Sequence, residues 1–276
     1  MVGTRVPSRE IVAALMMLIV ALPISVDAGE SSSCCPDQSF DLFIIGDPDS
    51  GVLTPFDSDL EEEKSTEVTS SIFGEVEVGT WGLTWGTDGE YSAGSWIFSI
   101  PYEVKDASGV SGNATVLVKI GGSTYESSSQ IPAFYLTSTG ELQVEVEVQE
   151  GQISKGDIVE ITFSVRSVIF SNPGGESGVR FFWGSPEYDA ALSMSFPLVD
   201  VEMREASVKG DLIFFPVRLS SGFGEKMWTS SSGGFQVQSL LVSESPISTE
   251  NEDWVDVTFV WNAESFAGGT LRTDFF

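Results

Sequence analysis

Histidine is absent from the 276 residues. Its absence removes the side chain that most often serves as a general base near neutral pH and as a ligand for transition metals. Ser-His-Asp and Cys-His catalysis are therefore excluded, as is any histidine-based zinc site. Cysteine is almost missing too: Cys34 and Cys35 are the only two, and they are neighbours. Adjacent residues cannot staple distant strands, so stability must come from core packing rather than from a disulfide framework. Bases are scarce, thirteen against forty-one acids, for a net charge of -28. Phosphate backbones and anionic membrane surfaces are repelled by such a chain, which excludes nucleic acid as a partner. Beyond residue 28 no apolar run reaches spanning length, so no transmembrane span is expected in the mature chain. No segment there keeps a helical period, which leaves no room for a helical domain.

What is present begins with an export signal. Arg5 and Arg9 precede the apolar run "IVAALMMLIVALPISV", and Val26-Asp27-Ala28 offers small residues where a signal peptidase reads. A signal peptide over residues 1–28, cut after Ala28, is expected, with the mature chain placed outside the cell or on its surface. A flexible leader over 29–38 follows, containing the cysteine pair.

Strict alternation dominates the remainder. In "ELQVEVEVQE", Leu142, Val144, Val146 and Val148 point one way and Gln143, Glu145, Glu147 and Gln149 the other, the period of two of a half-buried antiparallel strand. Val159, Ile161, Phe163 and Val165 repeat the pattern, as do Val255, Val257, Phe259 and Trp261. Gly, Ser, Asn and Asp clusters such as "GTDGEYSAGS", "SNPGGESG" and "SSGFGEK" separate the runs and supply turn chemistry. Many short strands between turns predict an all-β chain, a jelly-roll β-sandwich over 39–199 followed by a smaller immunoglobulin-like β-sandwich over 200–276. The acidic stretch from Asp57 to Thr69 reads as the least ordered part of the sandwich. "KGDIVEITFSVRS" from Lys155 and "KGDLIFFPVRLSS" from Lys209 read as one turn-to-strand device used twice.

The succession "SWIFSIPYEV", "VSGNATVLVKI", "ISKGDIVEITFSV" and "VRFFWGSPEYDAALSMSF" resembles the galactose-binding-like jelly-roll modules of secreted and surface proteins of archaea and bacteria. That resemblance spans about 160 residues at the level of turns and strands. It implies a fold and an extracellular setting, and it carries over no catalytic residue.

Three groups of residues are candidates for chemistry. "GTWGLTWGTDGEYSAGSW" sets Trp81, Trp85, Tyr91 and Trp96 beside Asp88 and Glu90. Flat rings could stack on sugar faces while the acids hydrogen-bond hydroxyls; the competing reading makes the tryptophans core anchors. "GDPDSGVLTPFDSDLEEE" gives Asp47, Asp49, Asp57 and Asp59, hard oxygen donors around a glycine turn that would suit calcium, against the alternative of a solvated acidic turn. Asn113-Ala114-Thr115 is a glycosylation triplet. Glu187 and Asp189, either side of Tyr188 and close to Trp183, form the most suggestive carboxylate pair, but no motif gives them a reaction. The expectation is a non-catalytic protein needing no cofactor unless calcium, serving adhesion, envelope structure or ligand binding, with glycans or other surface proteins as partners. The alternative is a carbohydrate-active enzyme or its accessory module.

Overall fold

Alternation is realised as strands wherever it is strict. Leu142, Val144, Val146 and Val148 are buried while Glu141, Gln143, Glu145 and Glu147 are exposed. A computed structural model describes residues 38–70, 74–131, 139–171, 177–196, 199–224, 226–227, 235–237, 240–241, 247–250, 254–264 and 273–275. The expected signal peptide and the Cys34-Cys35 pair lie outside the described residues. Among those described, the chain is almost wholly strand, and no helix is long and apolar enough to cross a membrane.

The strands of the first unit are β1 (Gln38–Ile45), β2 (Gly51–Thr54), β3 (Lys64–Val68), β4 (Val76–Thr84), β5 (Gly89–Tyr91), β6 (Gly94–Lys105), β7 (Ala107–Ile120), β8 (Ser123–Ile131), β9 (Thr139–Val148), β10 (Gly151–Ile153), β11 (Ile158–Ser171), β12 (Gly178–Trp183) and β13 (Ala191–Phe196). A second sheet, here the second unit, is built from β14 (Asp200–Met203), β15 (Ser207–Lys209), β16 (Leu212–Ser220), β19 (Ile247–Glu250) and β20 (Trp254–Asn262), and β17 (Phe235–Val237), β18 (Leu240–Leu241) and β21 (Thr273–Phe275) pair in a separate three-stranded sheet.

Hydrogen bonding runs β3-β12-β6-β13-β1-β2-β4-β11-β7-β8, with β9 on the other edge of β6. The long β6 makes this possible: its residues 97–99 pair with β13 and its residues 102–105 with β12. The two ends of the path face each other across an aromatic interior. Phe163 of β11 meets Phe98 of β6 at 5.3 Å and Phe181 of β12 at 5.1 Å, and Trp81 of β4 meets Trp183 of β12 at 5.1 Å. The β-sandwich core is thus filled by aliphatics and rings from facing layers, as the alternation requires.

Two segments fold otherwise than their sequences suggest. The acidic stretch from Asp57 makes a 3-10 turn at Asp57–Asp59 and then β3, which pairs with β12 from Trp183↔Lys64 to Val179↔Val68. Lys64 bridges Asp47 and Glu62 at 3.2 and 3.0 Å, and Arg180 reaches Glu67 at 2.7 Å. Placing those few bases against the acids relieves the like-charge repulsion that marked the stretch as disordered. β8, "STYESSSQI", also forms in full against β7. Its small polar side chains carry no hydrophobic period, yet an edge strand needs only one partner's backbone.

In the second unit β14-β16-β20-β19 form a sheet, with β15 also paired to β16. Its own core is Val201, Ile213, Phe215, Val217 and Phe259. The repeated Lys-Gly-Asp turn is one device in both units: Gly156 and Gly210 have φ of 92° and 64°, and β11 and β16 follow directly. Left-handed backbone at that point favours glycine. Across β16 and β20, Arg218 donates to both carboxylate oxygens of Asp256 at 2.7 and 2.8 Å and lies 3.6 Å from the centroid of the Trp254 ring.

Hydrogen bonds from Arg218 hold the Asp256 carboxyl below its usual range, against the opposing effect of burial. A carboxyl with a depressed folded pKa adds stability above its unfolded value of about 3.9 and loses it as pH falls through the lower folded value. Asp256→Asn should therefore cost about 0.2–1 kcal/mol at neutral pH and nothing once the wild-type carboxyl is protonated. Denaturant melts of both proteins between neutral pH and about pH 2 check this; a constant difference across that window would contradict it.

Candidate functional site

The Gly-rich segment after β4 builds one wall of a cleft. β5 pairs with β10 through Glu90↔Gln152 and Tyr91↔Gly151. Alternation in so short a ribbon turns Tyr91 inward and Glu90 outward. Gly151 is required at its position, because a Cβ there would lie 2.4 Å from the Tyr91 hydroxyl oxygen. Tyr91 stacks on Phe196 at 5.5 Å with planes 15° apart, and its hydroxyl lies 3.2 Å from that of Tyr125. The Tyr125 hydroxyl in turn donates to the Gln149 carbonyl. Burial, with the Tyr125 contact adding to it, raises the Tyr91 pKa, so this phenol stays a protonated donor.

Neighbouring polar groups fix the loops. The Lys155 N–H donates to Asp88 Oδ1 at 2.9 Å, tying the turn to the Lys-Gly-Asp loop. Gln152 Nε2 donates to Glu90 Oε1 at 3.2 Å. The backbone of Trp85 is bonded on both sides, donating to the Asp157 carbonyl at 2.7 Å and accepting from the Gly156 N–H at 2.8 Å. Its indole is edge-on to Phe196 at 4.8 Å and to Phe223 at 5.1 Å.

Phe223 belongs to the second unit, whose turn after β16 forms the opposite wall. The Gly86 N–H donates to the Gly222 carbonyl at 2.9 Å. Gly222 lies against the Trp85 ring so closely that a Cβ there would come within 2.1 Å of Cε2. Between the walls is a cleft of about 710 Å³ whose lining includes Trp85, Tyr91 and the carboxylates Asp88, Glu90, Glu150 and Asp200. All four carboxylates are exposed, and among the described residues no lysine or arginine lines the space with them.

The structure thus gathers four of the six aromatic-loop candidates, Trp85, Asp88, Glu90 and Tyr91, around one cavity. Trp81 and Trp96 are not among them. Both are wholly buried, Trp81 on Trp183 and Trp96 on Phe196. A ring with no accessible face cannot carry a sugar, so these two anchor the core. Trp85 and Tyr91 are 3% exposed each; they border the cleft without offering an open stacking platform.

The four acids proposed for calcium are not brought together. Asp47 pairs with Lys64, while Asp59 pairs with Lys226 and accepts from Thr54 Oγ1 at 2.7 Å. Burial raises the Asp59 pKa, but the bonds from Lys226 and Thr54 outweigh it and leave the carboxyl below its usual range. Asp49 and Asp57 stand exposed on separate turns. Among the described residues no three acidic, histidine or cysteine side chains are grouped to hold a metal ion. Lysines pair with two of the four carboxylates, Asp47 and Asp59.

Glu187 and Asp189 are exposed on the turn closed by the Ser185↔Tyr188 bridge. Trp183 is turned away from them, buried and donating its N–H to the Gly46 carbonyl at 2.8 Å. Asn113 is exposed in mid-strand on β7, while the Thr115 hydroxyl of its triplet is buried between Glu75 at 3.0 Å and Ser128 at 2.9 Å.

Sequence reasoning did not reach Glu150, Gln152, Asp200, Ser221 or Gly222. Glu150-Gly151-Gln152 reads as the frayed end of β9, and the other three arrive from the second unit by a fold-level contact. The usable signal was the recurrence of Gly beside the aromatics, since Gly86, Gly151 and Gly222 each mark a close approach to a backbone or a ring.

No family model matches the chain, and no curated protein matches it. Among solved structures it is similar to a CocE/NonD family hydrolase from Staphylococcus aureus, at 11% identity and a TM-score of 0.40 over 58% of this chain and 36% of that one. It is also similar to an aminopeptidase from a marine sediment archaeon of the Thaumarchaeota, at 10% identity and a TM-score of 0.40 over 56% and 36%. The chain therefore spans little more than a third of the length of the structures it matches.

Proposed function

We propose that the chain is an exported, non-catalytic β-sandwich protein whose first unit is a jelly roll of the galactose-binding-like kind and whose role is to hold a glycan. The reading rests on one observation: loops of the sandwich and the turn of the second unit enclose a cleft of about 710 Å³ walled by Trp85, Tyr91 and four carboxylates. That volume lies inside the range of about 300–1,000 Å³ common to ligand pockets. Its groups are those a polyhydroxylated ligand uses, carboxylates accepting from hydroxyls and ring edges closing the apolar side. The N-terminal signal supports export, and the absence of histidine supports binding rather than turnover.

A glycan array probed with the mature chain and with the double variant Asp88→Asn, Glu90→Gln tests it. Binding by the wild type is expected, with at least a tenfold loss in the variant, the equivalent of one or two charge-assisted hydrogen bonds at about 1.5–3 kcal/mol each. A blank array, or binding that the double variant leaves intact, would refute the assignment of this cleft.

A further inference from the structure

Of the four asparagines in the chain, only Asn113 is followed two residues later by a hydroxyl, Thr115. It stands on β7 between Gln130 of β8 and Arg166 of β11. The pleat turns its neighbour Ala114 into the core and leaves the Asn113 carboxamide exposed.

The face around it is unusual for this chain. Ser111, Gln130, Arg166, Val168 and Phe170 are all exposed beside Asn113, and none is a carboxylate. On β9, by contrast, Glu141, Glu145 and Glu147 keep the outer row hydrated. Phe170, at 57%, is the most exposed large hydrophobic among the described residues. Val168 and Phe170 stand across from Ser111 and Gly109, about 7 and 13 Å along the sheet from the Asn113↔Arg166 pair. An uncharged apolar patch favours association unless something covers it.

We infer that Asn113 carries an N-linked oligosaccharide that hydrates this face, attached before β7 is paired. The inference rests on the export reading given above. The donor class is a lipid-linked oligosaccharide phosphate. Asn113 Nδ2 attacks the anomeric carbon; the C–N bond forms, the C–O bond to phosphate breaks with its electron pair leaving on the phosphate, and one amide proton is released.

The order of events follows from the second half of the triplet. A transferase needs the hydroxyl at the third position as well as the asparagine. In the folded chain Thr115 is 7% exposed, and its hydroxyl donates to Glu75 at 3.0 Å and lies 2.9 Å from that of Ser128. β7 is bonded on both sides, to β8 and β11. The triplet is therefore readable only while the chain is still extended and unpaired.

Mass spectrometry of the chain, expressed with residues 1–28 in its own cells and recovered from outside them, tests the site. Trypsin cuts after Lys105 and Lys119, which releases 106–119 with a single asparagine. That peptide should exceed its sequence mass by one glycan, with fragmentation placing the addition on Asn113. Asn113→Gln should return it to the bare mass and raise the binding of an apolar fluorescent dye, an excess that adding Phe170→Ser removes. In membranes of the same cells, a synthetic peptide of residues 106–119 should accept the glycan at least about tenfold faster than the folded, unmodified chain, since acceptance by the latter waits on local opening of β7.

A chain retained inside with residues 1–28 uncut would overturn the export reading and this inference with it. An exported chain whose peptide has the bare mass would overturn the site and leave export standing, as would sugar found on Ser108 or Ser111 instead. Dye binding unmoved by loss of the glycan would overturn its role in covering the face. Equal rates for peptide and folded chain would overturn attachment before pairing.

Discussion

Trp81→Ala should lower the unfolding free energy by about 3–5 kcal/mol, the range for removing a fully buried aromatic ring. Trp81 is 0% exposed and stands edge-on to Trp183 with planes 81° apart. The chain is shaped around it: a Cβ on Gly51 would fall 1.9 Å from its Cδ1, and one on Gly79 2.6 Å from its Cη2. Its indole N–H has no hydrogen-bond partner among the described residues, and the expected loss is one of packing and cavity. Against a total of about 5–15 kcal/mol for a domain, this is a large fraction. Urea denaturation followed by far-ultraviolet circular dichroism measures it, with the expected change in midpoint and an unchanged slope. A loss under about 1 kcal/mol would place the ring at the surface, as a sugar platform would require.

Phe163→Ala should cost a similar amount, about 3–5 kcal/mol, while Phe170→Ala on the same strand should cost about 0.5 kcal/mol or less. Phe163 is fully buried between Phe98 and Phe181, whereas Phe170 is 57% exposed. Both residues are phenylalanines on β11, yet odd and even positions are separated by the pleat. Phe163 also sits where the pairing of β11 with β4 shifts register, between Phe163↔Gly79 and Ser164↔Glu77. Losing the ring removes its contacts with Phe98 and Phe181 in the core. Equal costs at the two positions would mean that the alternation does not sort this strand into an inner and an outer face.

These strands were legible because each side chain declares its face every second residue. The alternation from Leu142 to Val148 and from Val159 to Val165 is reproduced residue by residue in their burial. Elements without that signal escaped. β8 is Ser-rich, β3 is the short polar run Lys-Ser-Thr-Glu-Val, and β5 with β10 are too short to show a period. Each forms because a neighbour supplies what its own sequence does not: a backbone edge from β7, a lysine or arginine near an acid, a ring beneath a glycine. The candidate site was half legible for the same reason. Trp85, Asp88, Glu90 and Tyr91 are close in sequence and stay close in space, but Asp200 and Gly222 reach the cleft only through the docking of the second unit on Trp85. Nor does the sequence tell Trp81 and Trp96 from Trp85: all three lie in one Gly-rich segment, and only packing separates two core anchors from a cleft wall.

The central claim, that a glycan occupies the cleft bordered by Trp85 and Tyr91, is tested most directly by indole N–H resonances in a ¹⁵N-labelled mature chain titrated with the oligosaccharide that binds best on the array. Trp81, Trp85 and Trp96 all hold buried N–H groups without partners among the described residues, and of the three only Trp85 lines the cleft. The Trp85 resonance should shift saturably while those of Trp81 and Trp96 stay in place. A fixed Trp85 signal at ligand saturation, or three indoles moving together, would contradict it.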